Sequence, residues 1–212
     1  MAKRFTDVLV SSLLLLASSP ILAAACVWIL IDDGGPILFS QSRIGLGGRA
    51  FKLYKLRTLR LNAVPYANIG QVTEENALVL RSGRFLRRLK IDEIPQFINV
   101  LKGDMSLVGP RPTVAEQVAA YSQLERRRLE LRPGISGWAQ VNGGTALGWP
   151  DRIALDIWYV DHRSFALDVM ILLRTAVVLL SGDVVREAAL SAARQYQERA
   201  RSALAGAVHA NL

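Results

Sequence analysis

An uncharged run of about 24 residues, positions 8–31, constrains the fold of this chain more than any other feature. A helix of about 20 apolar residues is enough to cross the hydrocarbon core of a bilayer. Lys3 and Arg4 precede the run, as basic residues do in a signal peptide. However, the run is longer than a usual signal-peptide core, and no small-residue cleavage site follows it. The sequence therefore predicts a retained membrane anchor over residues 1–35.

The path of this anchor through the membrane depends on its middle and on its flanks. Ser18, Ser19 and Pro20 lie near the middle, where proline removes a backbone donor, so a membrane-helix break is expected at Ser19 and Pro20. The serine hydroxyls can bond the carbonyls that the proline frees. Basic residues flank both ends, and the positive-inside rule assigns such flanks to the cytoplasmic side. They are Lys3 and Arg4 before the run and Arg43, Arg49, Lys52, Lys55 and Arg57 after it. A re-entrant helix–break–helix satisfies both observations, and a single kinked spanning helix remains the alternative.

Composition limits the partners and the compartment. Charged residues make up 21% of the chain, and the formal net charge of +8 suits an anionic partner such as nucleic acid, a bilayer surface or a phosphorylated substrate. With one cysteine and two histidines, the chain has no internal disulfide framework, and a structural zinc site is not expected. The soluble part is therefore expected to face a reducing cytoplasm.

The remaining sequence predicts a mainly α fold with a small β-hairpin, an α+β class. Short apolar runs on either side of the glycine-rich turn at 45–48 are typical of a hairpin. A polar surface loop is expected over 62–75. The predicted helices cover 81–101 with a break at Pro95, 114–131, 149–160 and 165–180.

Two of these helices resemble elements that lie in a membrane interface. The stretch 165–180 is almost wholly apolar apart from Asp168 and Arg174, and Trp149, Trp158 and Tyr159 precede it. Aromatic side chains prefer the headgroup level, although a buried helix of this length would look the same. The predicted domains are the anchor at 1–35, a cytoplasmic catalytic domain with interfacial helices at 36–182, and a peripheral helical tail at 183–212.

Asp92 and Glu93 are adjacent acids between two isoleucines and are the strongest candidates for chemistry. In a partly apolar site two carboxylates repel each other, which can leave one as a nucleophile and the other as a proton acceptor. Alternatively, Asp92 is a helix N-cap before Pro95.

The residues around this pair favour phosphate chemistry. Several basic residues lie between positions 84 and 111, and guanidinium groups in loops bind phosphate through two parallel hydrogen bonds. A divalent cation such as Mg²⁺, which takes oxygen ligands, would let an acid and a phosphate approach each other. Acidic nucleophile, arginines and anchor together point to phosphoryl chemistry on a lipid-associated substrate.

At this point the sequence resembles the bacterial sugar transferases, the small monotopic polyprenyl-phosphate phosphoglycosyl transferases. The resemblance runs from Lys3 to about Leu180. It includes the Ser19-Pro20 break, the QSRIG turn at 41–45, FKLYKLRT at 51–58, Asp92-Glu93, NVLKGDMSLVGPRP at 99–112 and RPGISGWAQVN at 132–142. The tail after Gly182 lies outside it.

The resemblance implies a fold, a reaction and a set of roles. The anchor would penetrate only the cytoplasmic leaflet of the bacterial inner membrane, with the catalytic domain on the cytoplasmic face. Asp92 would attack the sugar-linked phosphate of a UDP-sugar and expel UMP, Glu93 would assist transfer to a polyprenyl phosphate such as undecaprenyl phosphate, and Mg²⁺ would sit at Asp92. Lys55, Arg87 and Arg111 match basic positions of the motifs and are the candidates for binding phosphate. This reaction would be the first membrane step in assembly of an exopolysaccharide, capsule, O-antigen or glycoprotein glycan.

Three rival functions remain open. They are a basic membrane-attached protein that binds nucleic acid or anionic lipid, a glycosyltransferase that releases UDP, and a non-catalytic scaffold of a polysaccharide assembly complex. The preferred interpretation needs membrane lipids of one leaflet but no nucleic acid, and its interfacial helices allow a homodimer. Trp138 and Gln140 either contact substrate or pack in the core. The residues do not identify the sugar.

Overall fold

The structure is a computed structural model that describes residues 2–61 and 78–210, the last six of these by their backbone alone. The expected loop at 62–75 lies outside the described residues, which end at 61 and resume at 78. The helices are α1 (Ala2–Asp33), α2 (Arg81–Arg88), α3 (Gln96–Lys102), α4 (Ala115–Ala119), α5 (Trp138–Val141), α6 (Trp149–His162), α7 (Phe165–Ser181) and α8 (Glu187–Ala210). The strands are β1 (Leu38–Ile44), β2 (Ala50–Leu56), β3 (Ser106–Val108) and β4 (Gly134–Ser136). The mainly α class with a small hairpin is confirmed.

The chain divides into two compact units. The first comprises Met1–Ser42 and Lys52–Gly103, and the second comprises Arg43–Phe51 and Asp104–Leu212. Strands β1 and β2 form the predicted hairpin. Strands β3 and β4 form a parallel pair that the sequence did not predict, with Ser106 opposite Gly134 and Val108 opposite Ser136. The domain boundaries predicted at 35 and 182 separate regions of different expected function, whereas the two units are defined by compactness. The predicted boundaries therefore stay a prediction.

Helix α1 runs from Ala2 to Asp33 with Pro20 inside it, so the residues before and after Ser19 and Pro20 belong to one helix, and the re-entrant path stays a prediction. Pro20 cannot donate to the carbonyl of Leu16, but the Ser19 hydroxyl donates to that oxygen at 2.8 Å. The Ser18 hydroxyl donates in the same way to the carbonyl of Leu14 at 2.7 Å. Because the serines satisfy the carbonyls that proline leaves unpaired, as the sequence predicts, the helix continues through the proline.

Both ends of α1 are tied to the first unit, while its middle is exposed. By length and composition, α1 is the one described helix that could cross a membrane. Near its start, Arg4 donates to the carbonyls of Val100 and Leu101 at 2.6 and 3.0 Å. Near its end, Ala25 and Ile29 are buried against β2 and α2. Between the two ends, large apolar side chains are exposed: Leu13, Leu14, Leu16 and Ile21.

The buried guanidinium of Arg57 joins the end of α1 to the end of β2. Its side chain is 2% exposed and bonds the carboxylate of Asp33 at 2.5 Å. It also donates to the carbonyls of Gly34 at 2.5 Å and Pro36 at 2.6 Å. The sequence assigned Arg57 to the basic flank of the predicted anchor, but the structure buries it at the end of α1, where it donates to the carbonyl of Asp33 at 3.3 Å and to the carbonyls just beyond the helix.

Two of the predicted helices are shorter than expected. The helix predicted over 81–101 breaks at Lys90, which has a left-handed backbone (φ 57°), before Pro95 begins α3. The helix predicted over 114–131 is only α4 followed by a 3₁₀ turn over Glu125–Glu130. The reason is local, because Glu125 accepts hydrogen bonds from the backbone and the hydroxyl of Ser122 and starts a new turn there.

Helix α6 is the centre of the second unit. Its side chains Leu155, Ile157 and Tyr159 are almost fully buried, and Tyr196 and Ala200 of α8 pack against the cluster that contains Ile157. The helices predicted over 149–160 and 165–180 are confirmed as α6 and α7, and the tail is helical as expected. Helix α7 buries Leu167, Asp168 and Ile171 and exposes its other face.

We expect Arg57→Lys to destabilise the protein by about 2–4 kcal/mol. Lysine keeps the charge, but its single ammonium group cannot bond Asp33 and the backbone carbonyls at the same time as the guanidinium does. The groups left unpaired would be buried. Denaturant unfolding in mild detergent measures the change. Arg60→Lys is the control, because Arg60 is 47% exposed and its nitrogen is 4.0 Å from Asp33. Equal stability of the two variants would contradict the capping role of Arg57.

Candidate active site

The adjacent acids lie in a short 3₁₀ turn, Ile91–Glu93, between α2 and α3. The turn follows Lys90, whose left-handed backbone is uncommon for a residue with a side chain and reverses the chain after α2. The cap positions of the turn and of α3 are Lys90 and Pro95, and Asp92 caps neither of them. The alternative interpretation of Asp92 as a helix N-cap is therefore wrong.

Asp92 is buried without a hydrogen bond. Its side chain is 6% exposed, and its Oδ1 atom has no partner among the described residues. Burial, together with the charge of Glu93, raises the pKa of Asp92 to about 6, against the lowering effect of Lys55, Arg87 and Lys90. At pH 7 about nine-tenths of the carboxyl is still ionised. Asp92 is therefore a desolvated carboxylate among cations.

Glu93 and Lys55 form an ion pair at one side of this site. Lys55 Nζ donates to Glu93 Oε1 at 2.6 Å, and both side chains are largely buried. Arg87, on the last turn of α2, donates from Nε to the hydroxyl of Thr58 at 2.8 Å. The structure thus brings Asp92, Glu93, Lys55 and Arg87 together within the first unit. The two acids have different surroundings, as a nucleophile and a proton acceptor need.

Two further residues position this group, and the sequence analysis missed both roles. Asn99 of α3 is fully buried, donates to the carbonyl of Lys52 at 2.7 Å and accepts from the amide of Tyr54 at 3.0 Å. It fixes α3 beside the strand that carries Lys55. A Cβ on Gly83 would lie 2.3 Å from the carbonyl oxygen of Thr58, so glycine is needed where α2 approaches this segment. A polar residue in an otherwise apolar helical stretch is the signal that could have identified Asn99.

The other predicted site residues lie elsewhere. Arg111 belongs to the second unit, where its backbone carbonyl accepts from the buried Arg128 at 3.2 Å, and its side chain is exposed. Ser19 and Pro20 lie in the exposed middle of α1. Trp138 is 7% exposed and stacks on Trp158 with ring centroids 5.1 Å apart, which is core packing. Gln140 has both polar side-chain atoms buried without a partner among the described residues.

Comparison with known proteins gives this arrangement a family. The family model described as bacterial sugar transferase matches residues 1–182. An uncharacterized sugar transferase of Bacillus subtilis, EpsL, is 40% identical over 87% of this chain and 90% of its own length. The UDP-glucose:undecaprenyl-phosphate glucose-1-phosphate transferase of Caulobacter vibrioides is 41% identical over 85% of this chain and 70% of its own.

This chain belongs to the bacterial sugar transferase family. A further relative is the UDP-N-acetylgalactosamine-undecaprenyl-phosphate N-acetylgalactosaminephosphotransferase of Aeromonas hydrophila, 40% identical over 85% of this chain. The match spans 44% of that relative's length, so this chain corresponds to less than half of it. The matched family region contains every residue discussed above for the site and ends before α8.

We expect Asp92→Asn to stabilise the protein at neutral pH. The folded carboxyl has a pKa of about 6, above its ordinary value of 3.8, so stability is lost as the pH rises through that interval. A shift of about two units corresponds to about 3 kcal/mol, and the uncharged amide avoids this cost. Relative to wild type, the variant should therefore gain about 3 kcal/mol between pH 4 and pH 7.5.

Denaturant unfolding at several pH values, with divalent cations removed by EDTA, measures this gain. Glu116→Gln is the matched control, because Glu116 is exposed on α4 and its loss should leave the pH dependence of stability unchanged. The same pH dependence in wild type and Asp92→Asn would mean that burial does not disfavour the ionised carboxyl.

Proposed function

We propose that this chain is a phosphoglycosyl transferase that moves a sugar 1-phosphate from a UDP-sugar to undecaprenyl phosphate and releases UMP. The observation that carries the proposal is the buried, unpaired carboxylate of Asp92 beside Lys55, Arg87 and Lys90. The names of the Caulobacter and Aeromonas relatives support the substrates, since both act on undecaprenyl phosphate. The proposed reaction would be a first membrane step in the assembly of a bacterial glycan.

The reaction would proceed in two displacements at the same phosphorus atom. An Asp92 oxygen attacks the sugar-linked phosphorus, the bond to the bridging oxygen breaks, and UMP leaves with that oxygen. The phosphosugar is then joined to Asp92 as an acyl phosphate. An oxygen of undecaprenyl phosphate attacks the same phosphorus, Asp92 leaves as a carboxylate, and undecaprenyl-diphospho-sugar forms. A covalent intermediate divides one difficult transfer into two easier ones and gives ping-pong kinetics.

The neighbours of Asp92 have roles that follow from their charges. Lys55 and Arg87 would neutralise the phosphate oxygens during both displacements. Glu93 would accept the proton of the attacking lipid phosphate in the second displacement, with Lys55 holding its carboxylate in place. Arg111 is retained as a phosphate-binding candidate on the basis of its motif.

The donor set around Asp92 fits one magnesium ion that arrives with the diphosphate. Among the described residues, no group of three or more His, Cys, Asp or Glu side chains forms a complete metal cage. Mg²⁺ commonly binds through one or two carboxylates, substrate phosphates and water, and Asp92 Oδ1 offers a free oxygen for it. Bound there, Mg²⁺ would neutralise charge on the diphosphate.

UMP release by protein in nanodiscs, with undecaprenyl phosphate, Mg²⁺ and a panel of UDP-sugars, tests the reaction. One UDP-sugar should give UMP, EDTA should abolish the release, and Asp92→Asn should lower it at least about a thousandfold because the nucleophile is missing.

Glu93→Gln should still give a single burst of UMP without lipid but turn over slowly. Wild type with labelled UDP-sugar and no lipid should retain label on the peptide that contains Asp92.

Three results would support a rival function. Release of UDP would identify a glycosyltransferase that passes on the sugar alone. Equal turnover by wild type and Asp92→Asn would exclude the covalent mechanism. No turnover with any donor, together with an unlabelled protein, would favour a non-catalytic scaffold or an anionic-lipid-binding protein. A Glu116→Gln control should match wild type in each assay.

We also propose that the protein is monotopic in the inner membrane and that α1 enters and leaves the cytoplasmic leaflet. Arg4 at one end bonds the last turn of α3, and Asp32 at the other end accepts from the backbone of Ser82 in α2 at 2.8 Å. Helices α2 and α3 flank the charged site and cannot enter hydrocarbon. Since both ends of α1 are tied to them, both ends would lie on one side, and the exposed middle around Pro20 would enter the lipid.

Cysteine labelling tests this topology. In a Cys26→Ser background, Ala2→Cys and Gly35→Cys place single thiols before and after the apolar run. A membrane-impermeant maleimide should label neither in intact spheroplasts and both after the inner membrane is opened. Labelling of Ala2→Cys in intact spheroplasts would show a spanning helix. The Cys26→Ser chain without an added cysteine controls for background labelling.

A further inference from the structure

A surface cavity of about 590 Å³ lies in the second unit, at the start of the tail helix. It is lined by Trp138, Asn142, Arg174, Arg186, Glu187, Ala188 and Ala189. The last four residues follow position 182, where the match to the family ends. The cavity therefore combines residues of a family motif with a segment that lies outside the family match.

The cavity carries positive charge without a matching carboxylate. The Arg174 guanidinium lies 5.2 Å from the centroid of the Trp138 ring and donates to Asn142 Oδ1 at 3.5 Å. Arg186 donates from Nε to the carbonyl of Val141 at 3.3 Å. Within the described part of the chain, neither guanidinium has an ion pair with a carboxylate. Glu187 is the one acid among the lining residues, so two positive charges face one negative charge.

Further hydrogen-bond donors lie in the wall of the cavity. Helix α8 begins there, and the first bond of its ladder runs from the amide of Leu190 to the carbonyl of Arg186. The amides of residues 187–189 therefore lack acceptors within the helix, and the start of a helix attracts anions. Trp138 contributes its ring to the wall, while its indole Nε1 is itself buried and is not one of these donors. Cations and unpaired donors together suit an anion with several acceptor oxygens.

The surface next to the cavity is apolar. Along α7 an exposed stripe consists of Phe165, Val169, Leu173, Val177 and Leu180, spaced three or four residues apart. Arg174 follows Leu173 and therefore lies beside this stripe. An exposed apolar helix face bordered by arginine is typical of a helix in a membrane interface, where lipid phosphates lie.

We propose that this cavity binds a phosphate-bearing anion, through Arg174, Arg186 and the first turn of α8, as a second site that does not contain Asp92. The phosphate belongs either to the headgroup of an anionic lipid or to a soluble ligand such as inorganic phosphate or a nucleotide. The site does not depend on the proposed transferase reaction, because none of its residues takes part in that reaction. It gives the tail helix the role of completing a binding site.

Calorimetric titration of the full chain in mild detergent tests the site. The probes are inorganic phosphate, UMP and dihexanoyl phosphatidylglycerol, with dihexanoyl phosphatidylcholine as the zwitterionic control. One probe should bind saturably, and Arg174→Gln and Arg186→Gln should each weaken binding about tenfold, since each removes a charge-assisted hydrogen bond. Phosphatidylglycerol binding alone identifies a headgroup, and binding of phosphate or UMP identifies a soluble ligand.

Two control variants separate loss of this cavity's binding from misfolding and from failure of the proposed transferase reaction at Asp92. Arg199→Gln removes an exposed positive charge from the same helix, away from the cavity, and should leave binding unchanged. Asp92→Asn should also retain binding, so failure of the transferase proposal would not affect this result. Absence of binding by every anionic probe, or equal weakening by Arg199→Gln, would overturn the proposal. Arg186 is exposed, so its variant is expected to fold.

Discussion

The ion pair of Arg57 with Asp33 is the constraint on which the first unit depends. The last carbonyls of a helix have no partners within it, and water or a side chain must satisfy them. Arg57 does this from a buried position, with Asp33 compensating its charge. Because Arg57 directly follows β2, the same guanidinium connects α1 to the strand that carries Lys55. Lys55 in turn holds Glu93, so α1 and the acids are connected through one short strand.

The surroundings of Asp92 are arranged at a cost in stability. Lys90 adopts a left-handed backbone, and such conformations cost of order 1 kcal/mol or more in a residue with a side chain. Asp92 is buried without a hydrogen bond, which disfavours its ionised form. Functional sites often retain such features, because a reactive group whose hydrogen bonds are all made within the protein cannot also interact with a substrate. The nearby cations keep the carboxylate ionised at neutral pH without bonding it.

The sequence predicted those features that depend on local pattern. The hairpin, α6, α7 and the helical tail follow from periodicity and turn residues, and the Ser18–Ser19–Pro20 chemistry was anticipated from the residues themselves. The break at Lys90 was missed, because nothing in a lysine indicates a left-handed backbone that only the packing of α2 and α3 requires. The new helical turn that starts at Ser122 could have been predicted, since serine followed three residues later by glutamate is a capping box.

Within the site, the sequence identified the charged residues but not the residues that hold them. Asp92 and Glu93 stand out as adjacent acids between two isoleucines, whereas Lys55 and Arg87 were identified by their places in the family motifs, and the structure brings the four together. Asn99, Thr58 and Gly83 act through backbone contacts between segments far apart in the chain, and such contacts leave no local pattern. Arg57 was misassigned for the same reason, because a sequence cannot tell a buried cap from a basic residue in a membrane flank.

The tail helix shows where a family resemblance stops being informative. The match ends at position 182, yet α8 begins five residues later and packs against α6, which buries seven of its residues. Its first turn meets Trp138 and Asn142, which belong to one of the long motifs used for recognition. Two residues of a shared motif therefore face a segment that lies outside the family match. In the proposed anion site, the ligand of this motif is set by Arg186 of the tail and Arg174 of α7. The motif alone does not determine that ligand.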